Sequence, residues 1–501
     1  MPELVFDYKR WKRGASSSRF SGNRGFSSAT VGIDMISQPG VLLPGVCLSS
    51  GNAGTALSNI LAGGIIASCT PKTATAPTAL VLTNNSDKDG RVVKMAELTE
   101  STLHASDTAH DYEEGISDII EFKGGIYFTS HTEINKDGDV DWLSAVGSVG
   151  NNLTAYKPHQ MCVVGDFLVI ADGQYIHLWD GTTFTWQALD IPTGYVIMTV
   201  EEFDGKLYFT AEALTISTNP WGQNISSDVK MYVWDLIDPN SYNDEWTINQ
   251  RVTAMRSHHG RLYVWTSTAF GYFDGREIQE IYPLNGVVYK HHIACVQSKI
   301  FFKYPMGFAT TGLFDKIACY GATESGGSLV MTFPIMNDYY LAGDDVFTIL
   351  PFGSSVSLVL AVFWRHQSTL YAMKLVTFPQ TSFVVSTNAG VNTTQLEEDL
   401  VDFGMDVRIK RVRVVLSGPR PARETVEVGW TDQEGTSYTA VTISDTTYSG
   451  RRTIEKDVEV GKQMSVAHFW IRPFVTEAGA SCTGVVRVAY EYEPVEGRRA
   501  R

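Results

Sequence analysis

The chain has 501 residues, 44% of them hydrophobic and 19% charged, enough apolar material for a sizeable core and too ordered a composition for a disordered chain. Its formal net charge of −15 disfavours a general nucleic-acid-binding role. No apolar run reaches the about 20 residues of a membrane-spanning helix. The N-terminus is charged rather than apolar, which does not read as a secretion leader, so the chain is expected to be made and assembled in a cytoplasm.

Residues 1–50 read as an extended arm. Lys9, Arg10, Lys12 and Arg13, with Arg19 and Arg24, make its first part basic among many Ser and Gly. That pattern fits either a solvated terminus or an arm that docks on an acidic neighbour or on nucleic acid. Pro39-Gly40 and Pro44-Gly45 are turn signals and argue against a helix. Gly51 to Ala67 is rich in small residues and reads as a loop or a central strand. Ala79–Thr83 and Arg91–Lys94 flank a polar turn and predict a hairpin.

A repeat follows. Gly124-Gly125-Ile126-Tyr127-Phe128, Gly165-Asp166-Phe167-Leu168-Val169, Gly205-Lys206-Leu207-Tyr208-Phe209 and Gly260-Arg261-Leu262-Tyr263-Val264 each place a turn before an apolar, aromatic strand. Degenerate copies start at Ser298 and Ser368. The first five anchors are about 41, 40, 55 and 38 residues apart, the length of a propeller blade. An aromatic residue followed by Asp trails several copies: Trp179-Asp180, Trp234-Asp235, Phe273-Asp274 and Phe314-Asp315. The aromatic suits a strand end facing the neighbouring blade, and the Asp suits the tight turn after it. Two hairpins make one four-stranded blade, and blades bury their faces only by stacking around an axis. Residues 51–395 are therefore expected to form an all-β propeller of six to eight blades, about seven.

Thr394–Leu400 is the best helical candidate and marks a boundary. From 400 to 495, strands such as Val407–Val415 and Thr425–Trp430 alternate apolar and polar residues, as half-buried antiparallel strands do. They predict a C-terminal antiparallel β-sandwich. Arg408, Lys410, Arg411 and Arg413 form a basic stripe there, either solvated, guarding a sheet edge, or docking on an acidic face of another subunit.

Motifs for chemistry are weak. Asp137, Asp139 and Asp141 alternate as in calcium loops, but Val146 stands where the helix–loop–helix calcium motif needs Glu; a polar surface turn is the simpler reading. His258-His259 and His291-His292 would point to opposite faces of a strand, which does not converge metal ligands. None of the six cysteines forms a C-x-x-C pair, so buried reduced thiols are expected. Asp180-Gly181-Thr182-Thr183-Phe184 is similar to the structural Asp-box turns of propeller glycosidases. No nucleophile elbow, phosphate loop or dinucleotide fingerprint stands in a strand-to-helix context. No catalytic, cofactor-binding or metal residues and no cofactor are expected.

The segment Gly32-Ile33-Asp34-Met35-Ile36 through Pro39-Gly40-Val41-Leu42, with the Gly-Lys-Leu-Tyr-Phe repeats and the terminal sandwich, resembles structural proteins of bacteriophage tails, nozzle and hub proteins above all. That resemblance implies a non-enzymatic virion subunit. Its partners would be copies of itself in a hexameric ring and other tail or connector proteins, with DNA in transit and no membrane span. The alternative is a carbohydrate-binding or glycoside-hydrolysing propeller, which needs carboxylates and aromatics converging on one axial face. A third reading is a cellular scaffold that binds peptides.

Overall fold

The computed structural model describes residues 1–7, 29–48, 55–60, 64–72, 78–137, 153–213, 228–304, 316–322, 329–337, 346–375, 395–475 and 483–495, with internal breaks of one to four residues. These form seven β-sheets around an axis and an eighth sheet beside them.

Six short strands open the chain: β1 (Glu3–Asp7), β2 (Ala29–Val31), β3 (Ile33–Asp34), β4 (Leu43–Pro44), β5 (Val46–Leu48) and β6 (Thr55–Leu57). Blade one holds β7 (Gly64–Cys69), β8 (Thr78–Asn84), β9 (Asp89–Ala96), β10 (Thr99–Thr102) and β11 (Asp107–Asp111). Blade two holds β12 (Ile119–Phe122), β13 (Gly125–Thr129) and β14 (Ile134–Lys136). Blade three is β15 (Met161–Val164), β16 (Phe167–Asp172), β17 (Tyr175–Trp179) and β18 (Phe184–Asp190). Blade four is β19 (Tyr195–Phe203), β20 (Lys206–Ala213), β21 (Val229–Trp234) and β22 (Asp244–Thr247). Blade five is β23 (Val252–His258), β24 (Arg261–Thr266), β25 (Ala269–Phe273) and β26 (Ile278–Pro283). Blade six contains β27 (Ile293–Val296), β28 (Lys299–Tyr304), β29 (Lys316–Ala322) and β30 (Leu329–Asn337). Blade seven contains β31 (Val346–Ser354), β32 (Ser357–His366) and β33 (Thr369–Leu375).

The repeat anchors are the first hairpins of blades two to six. Lys123-Gly124, Asp204-Gly205 and His259-Gly260 all have positive φ at both turn residues. These are the tight two-residue turns whose twist matches that of the strands they join. Glycine at the second position avoids the Cβ penalty of that conformation. The last copy differs, because its Thr369–Ala372 lie in the third strand of blade seven, paired with the second.

The aromatic–Asp element closes the outer hairpin. Asp180 Oδ1 accepts the Thr182 and Thr183 N–H groups at 2.7 and 2.6 Å. Asp274 Oδ1 accepts those of Arg276 and Glu277, both at 3.0 Å. Each preceding aromatic packs on the blade before its own. Trp179 lies with Phe122 and Tyr127 of blade two, Trp234 with the apolar face of blade three, and Phe273 with Tyr208 and Trp246 of blade four. Phe314-Asp315 lies outside the described residues.

The ring closes where β31 packs against β7. The outer strand of blade seven is β6, paired antiparallel to β33. Blade six is extended by β3, β4 and β5. The opening segment thus supplies strands that the repeat lacks.

The eighth sheet comprises β1, β2, β34 (Gln395–Leu416), β35 (Glu424–Asp432), β36 (Ser437–Ile443), β37 (Thr453–Asp457), β38 (Gln463–Val475) and β39 (Val485–Pro494). The helix expected at Thr394–Leu400 is instead the start of β34, whose Leu396 and Leu400 pair with Ile471 and His468 of β38. A seven-residue helical pattern has little intrinsic stability, and sheet pairing overrides it. The first half of β34 pairs β38 and its second half pairs β39 and β37. The sheet therefore folds over along β34 into two facing layers, with Phe6 of β1 5.3 Å from Phe469 of β38 across the core.

The motif around Asp34 is the seam between this sheet and the propeller. Ile33, Met35 and Leu42 join the eighth-sheet core while Ile36 joins the core of blades six and seven. Asp34 Oδ1 accepts the Ile36 N–H at 2.9 Å. Leu42 and Val485 exchange backbone hydrogen bonds of 2.8 and 3.0 Å. Gly484 permits this approach, since a Cβ there would stand 2.6 Å from Leu43 and Val41.

Candidate functional site

The innermost strands surround a cavity of about 620 Å³ on the propeller axis. Its wall comes mainly from the C-terminal ends of these strands, because the tight hairpins carry the chain outward there. Glu121 and Lys123 come from blade two, Asp166 from blade three, Glu201 and Glu202 from blade four, and Arg256 from blade five. Lys72 follows the innermost strand of blade one.

The other end is floored by a 3-10 turn, Lys290–His292, inserted before β27. It packs against β7, β23 and β31. From this turn Lys290 crosses the axis. Its Nζ donates to Asp118 Oδ2 at 2.9 Å and to the Met161 carbonyl. Asp118 also accepts the Ile119 and Met161 N–H groups, both at 2.9 Å. One buried carboxylate therefore joins blades two and three to the turn of blade six. Buried charges persist only when paired and hydrogen-bonded in this way.

Glu201 is similarly engaged. Its Oε1 accepts the Ser257 N–H at 3.0 Å and its Oε2 lies 3.7 Å from Arg256. Glu202 Oε1 accepts the Gly205 N–H at 2.7 Å, and Glu121 accepts the Lys72 N–H. Carboxylates thus gather on the wall made by blades two to four, while Arg256 and Lys290 face them from blades five and six.

Three thiols also line the cavity: Cys69, Cys162 and Cys295. Burial pushes all three up, Cys295 to about 12, and nearby Asp118 and Glu121 add to the effect at Cys69. They remain protonated near neutral pH, so they are not poised as nucleophiles. Cys69, Cys162, Cys295 and Cys319 are all free thiols.

The residues singled out from sequence lie elsewhere. Lys9, Arg10, Lys12 and Arg13 fall outside the described residues, as do Asp139 and Asp141. The basic stripe on β34 meets carboxylates of its own sheet. Lys410 lies 2.8 Å and Arg408 3.9 Å from Glu493, Arg411 2.8 Å from Asp457, and Arg413 2.5 Å from Glu455. His259 occupies a hairpin turn, its ring 2.9 Å from the Gln297 carbonyl. His291 and His292 are not on a strand, so their rings do not point apart; both are buried on the 3-10 turn. Asp118 and Lys290 were not singled out, because neither belongs to the repeat. The carboxylates Glu121, Asp166 and Glu202 sit beside its turns, where solvated polar residues are also common.

No protein-family model matches the chain, and no curated protein is similar to it. Solved structures with a similar backbone include an exo-beta-1,3-galactanase of Phanerochaete chrysosporium, at 11% identity and a TM-score of 0.28, covering 69% of this chain and 97% of that one. An Aleuria aurantia lectin in complex with alpha-methyl-L-fucoside has 9% identity and a TM-score of 0.33 over 65% of this chain and 96% of that one. The Pan2 WD40 domain of Neurospora crassa has 8% identity and a TM-score of 0.29 over 62% and 94%.

The expectation of a non-catalytic bacteriophage tail subunit does not stand: the similar structures named are a galactanase, a lectin and a WD40 domain, and none of the three is a virion protein. The likeness is one of fold, and their substrates do not transfer with it.

Proposed function

We propose that the protein is a carbohydrate-active β-propeller that takes a glycan into its axial cavity. The observation that carries this reading is the gathering of Glu121, Asp166, Glu201 and Glu202 from three adjacent blades on one cavity wall. Ionised carboxylates accept hydrogen bonds from sugar hydroxyls, and Lys72, Lys123 and Arg256 on the same surface donate to them. The volume lies within the several hundred to about 1,000 Å³ of small-ligand sites. Asp118 and Glu201 hold blades together, whereas Glu121 and Glu202 each accept one backbone N–H at the cavity wall and are the carboxylates proposed to face the sugar. Glycosidic hydrolysis uses two carboxyl groups, one as acid and one as base or nucleophile. Glu121 and Glu202 are assigned that pair.

The test is a glycan panel scored for binding by calorimetry and for turnover by release of reducing ends. At least one glycan is expected to bind. Glu121→Gln and Glu202→Gln are expected to abolish turnover and to lower the melting temperature only slightly, since each amide keeps an oxygen that can accept the backbone N–H. A panel that shows neither binding nor turnover overturns the reading.

A further inference from the structure

The two histidines on the floor of the cavity share one target. Their ring centroids are 4.2 Å apart, and both rings face the carboxylate of Glu114, in the segment leading to β12. Glu114 Oε1 lies 3.5 Å from His291 Nε2 and 3.7 Å from His292 Nε2. All three groups offer ligand atoms within 4.8 Å of one another. These separations are long for hydrogen bonds. They approach instead the edge, roughly 3.4 Å, of a tetrahedron centred on a zinc ion with N and O ligands at about 2.0–2.1 Å.

A second observation points the same way. His291 Nε2 is buried and has no hydrogen-bond partner, an arrangement that folded proteins avoid unless something else occupies the lone pair. The Glu114 side chain is 45% exposed, which gives an ion a way in and leaves a fourth position open to water.

We propose that Glu114, His291 and His292 bind one divalent transition-metal ion of the zinc type, joining the blade-six turn to the entry of blade two across the axis. The inference stands independently of what the cavity binds. His292 Nδ1 accepts the Tyr289 N–H at 3.2 Å, so the neutral ring carries its proton on Nε2. Metal entry shifts that proton to Nδ1 at the expense of this long bond.

The experiment is titration of the metal-free full chain with Zn²⁺ by calorimetry, with Co²⁺ absorption as a second readout. The expected result is one equivalent bound, Co²⁺ bands of a four-coordinate N/O site without thiolate charge transfer, and a rise in melting temperature on metal addition. Glu114→Gln, at an exposed side chain, should weaken binding about tenfold or more and remove the thermal shift; His291→Gln should do the same. Failure to bind one equivalent, binding unchanged by both substitutions, or a Co²⁺–thiolate spectrum overturns the proposal.

Discussion

The hub of the propeller and the stripe on β34 both pair basic side chains with carboxylates, under opposite conditions. At the hub, Asp118 and Lys290 are about 90% removed from water and each closes several contacts between distant blades. Along β34, Arg411 and Arg413 keep 41% and 33% of their side-chain surface exposed and touch only sheet neighbours. Burial, more than pair geometry, sets the energetic weight of each. A buried ion left without its partner retains its desolvation cost, whereas an exposed one is re-solvated.

The largest effect is therefore expected from Lys290→Ala, which strands Asp118 in the hub. Such an unpaired buried charge costs about 3–5 kcal/mol, read as a loss of unfolding free energy in urea. Asp118→Asn should cost a similar amount, because it leaves the buried Lys290 ammonium without its counter-ion and turns an amide N–H toward a donor from which the carboxylate accepts. A Lys290→Ala variant as stable as the native chain would erase the distinction between the two regions.

Acid sharpens the contrast. Burial lowers His159, and it lowers His258 to about 4, with neighbouring His259 adding to the shift. The unfolded chain takes up protons at these histidines below about pH 6.5, where the folded chain does not. Stability should therefore fall as pH drops from about 6.5 toward 4, and the His258 contribution should level off below that. Asp172 acts at lower pH. Burial opposes its ionisation, but the 3.2 Å contact from His177 and the proximity of His159 outweigh it and hold the carboxyl below its ordinary value. Its contribution is present above about pH 3.9 and is lost as pH falls through the depressed folded value. Urea midpoints measured against pH check both, and His258→Gln should flatten the upper part of the curve.

The blades were legible because each carries its own signals. Asp204-Gly205 and His259-Gly260 have to turn where they do, and Trp179 and Trp234 have to be covered by a neighbouring sheet, which is the blade before each. Ring closure was not legible. Strand β6 is three residues long and pairs with a strand more than 300 residues away, with no periodicity to announce it. The same holds for β3, whose two residues join blade six. The hub was hidden for a different reason. Lys290-His291-His292 precedes a strand and reads as part of it, whereas the 3-10 turn that brings both rings to one side is set by packing against three other blades. The stripe on β34 was visible as a pattern, but its partners on β37 and β39 were not.

That last point yields the smallest expected effect. Arg411→Ala and Arg413→Ala each remove an exposed ion pair whose carboxylate, Asp457 or Glu455, returns to water at little cost. The β34 ladder is untouched, because it runs through the backbone pairing of Val412 and Val414 with β37 and β39. Urea midpoints of both variants should coincide with the native one, at low salt and at high salt alike. A clear loss in either would mean that the row Glu3, Arg413, Glu455 and Glu491 acts as a network rather than as separate pairs. The double variant separates the two cases: independent pairs give additive effects near zero, and a network gives a coupling that vanishes when Glu3 is also replaced.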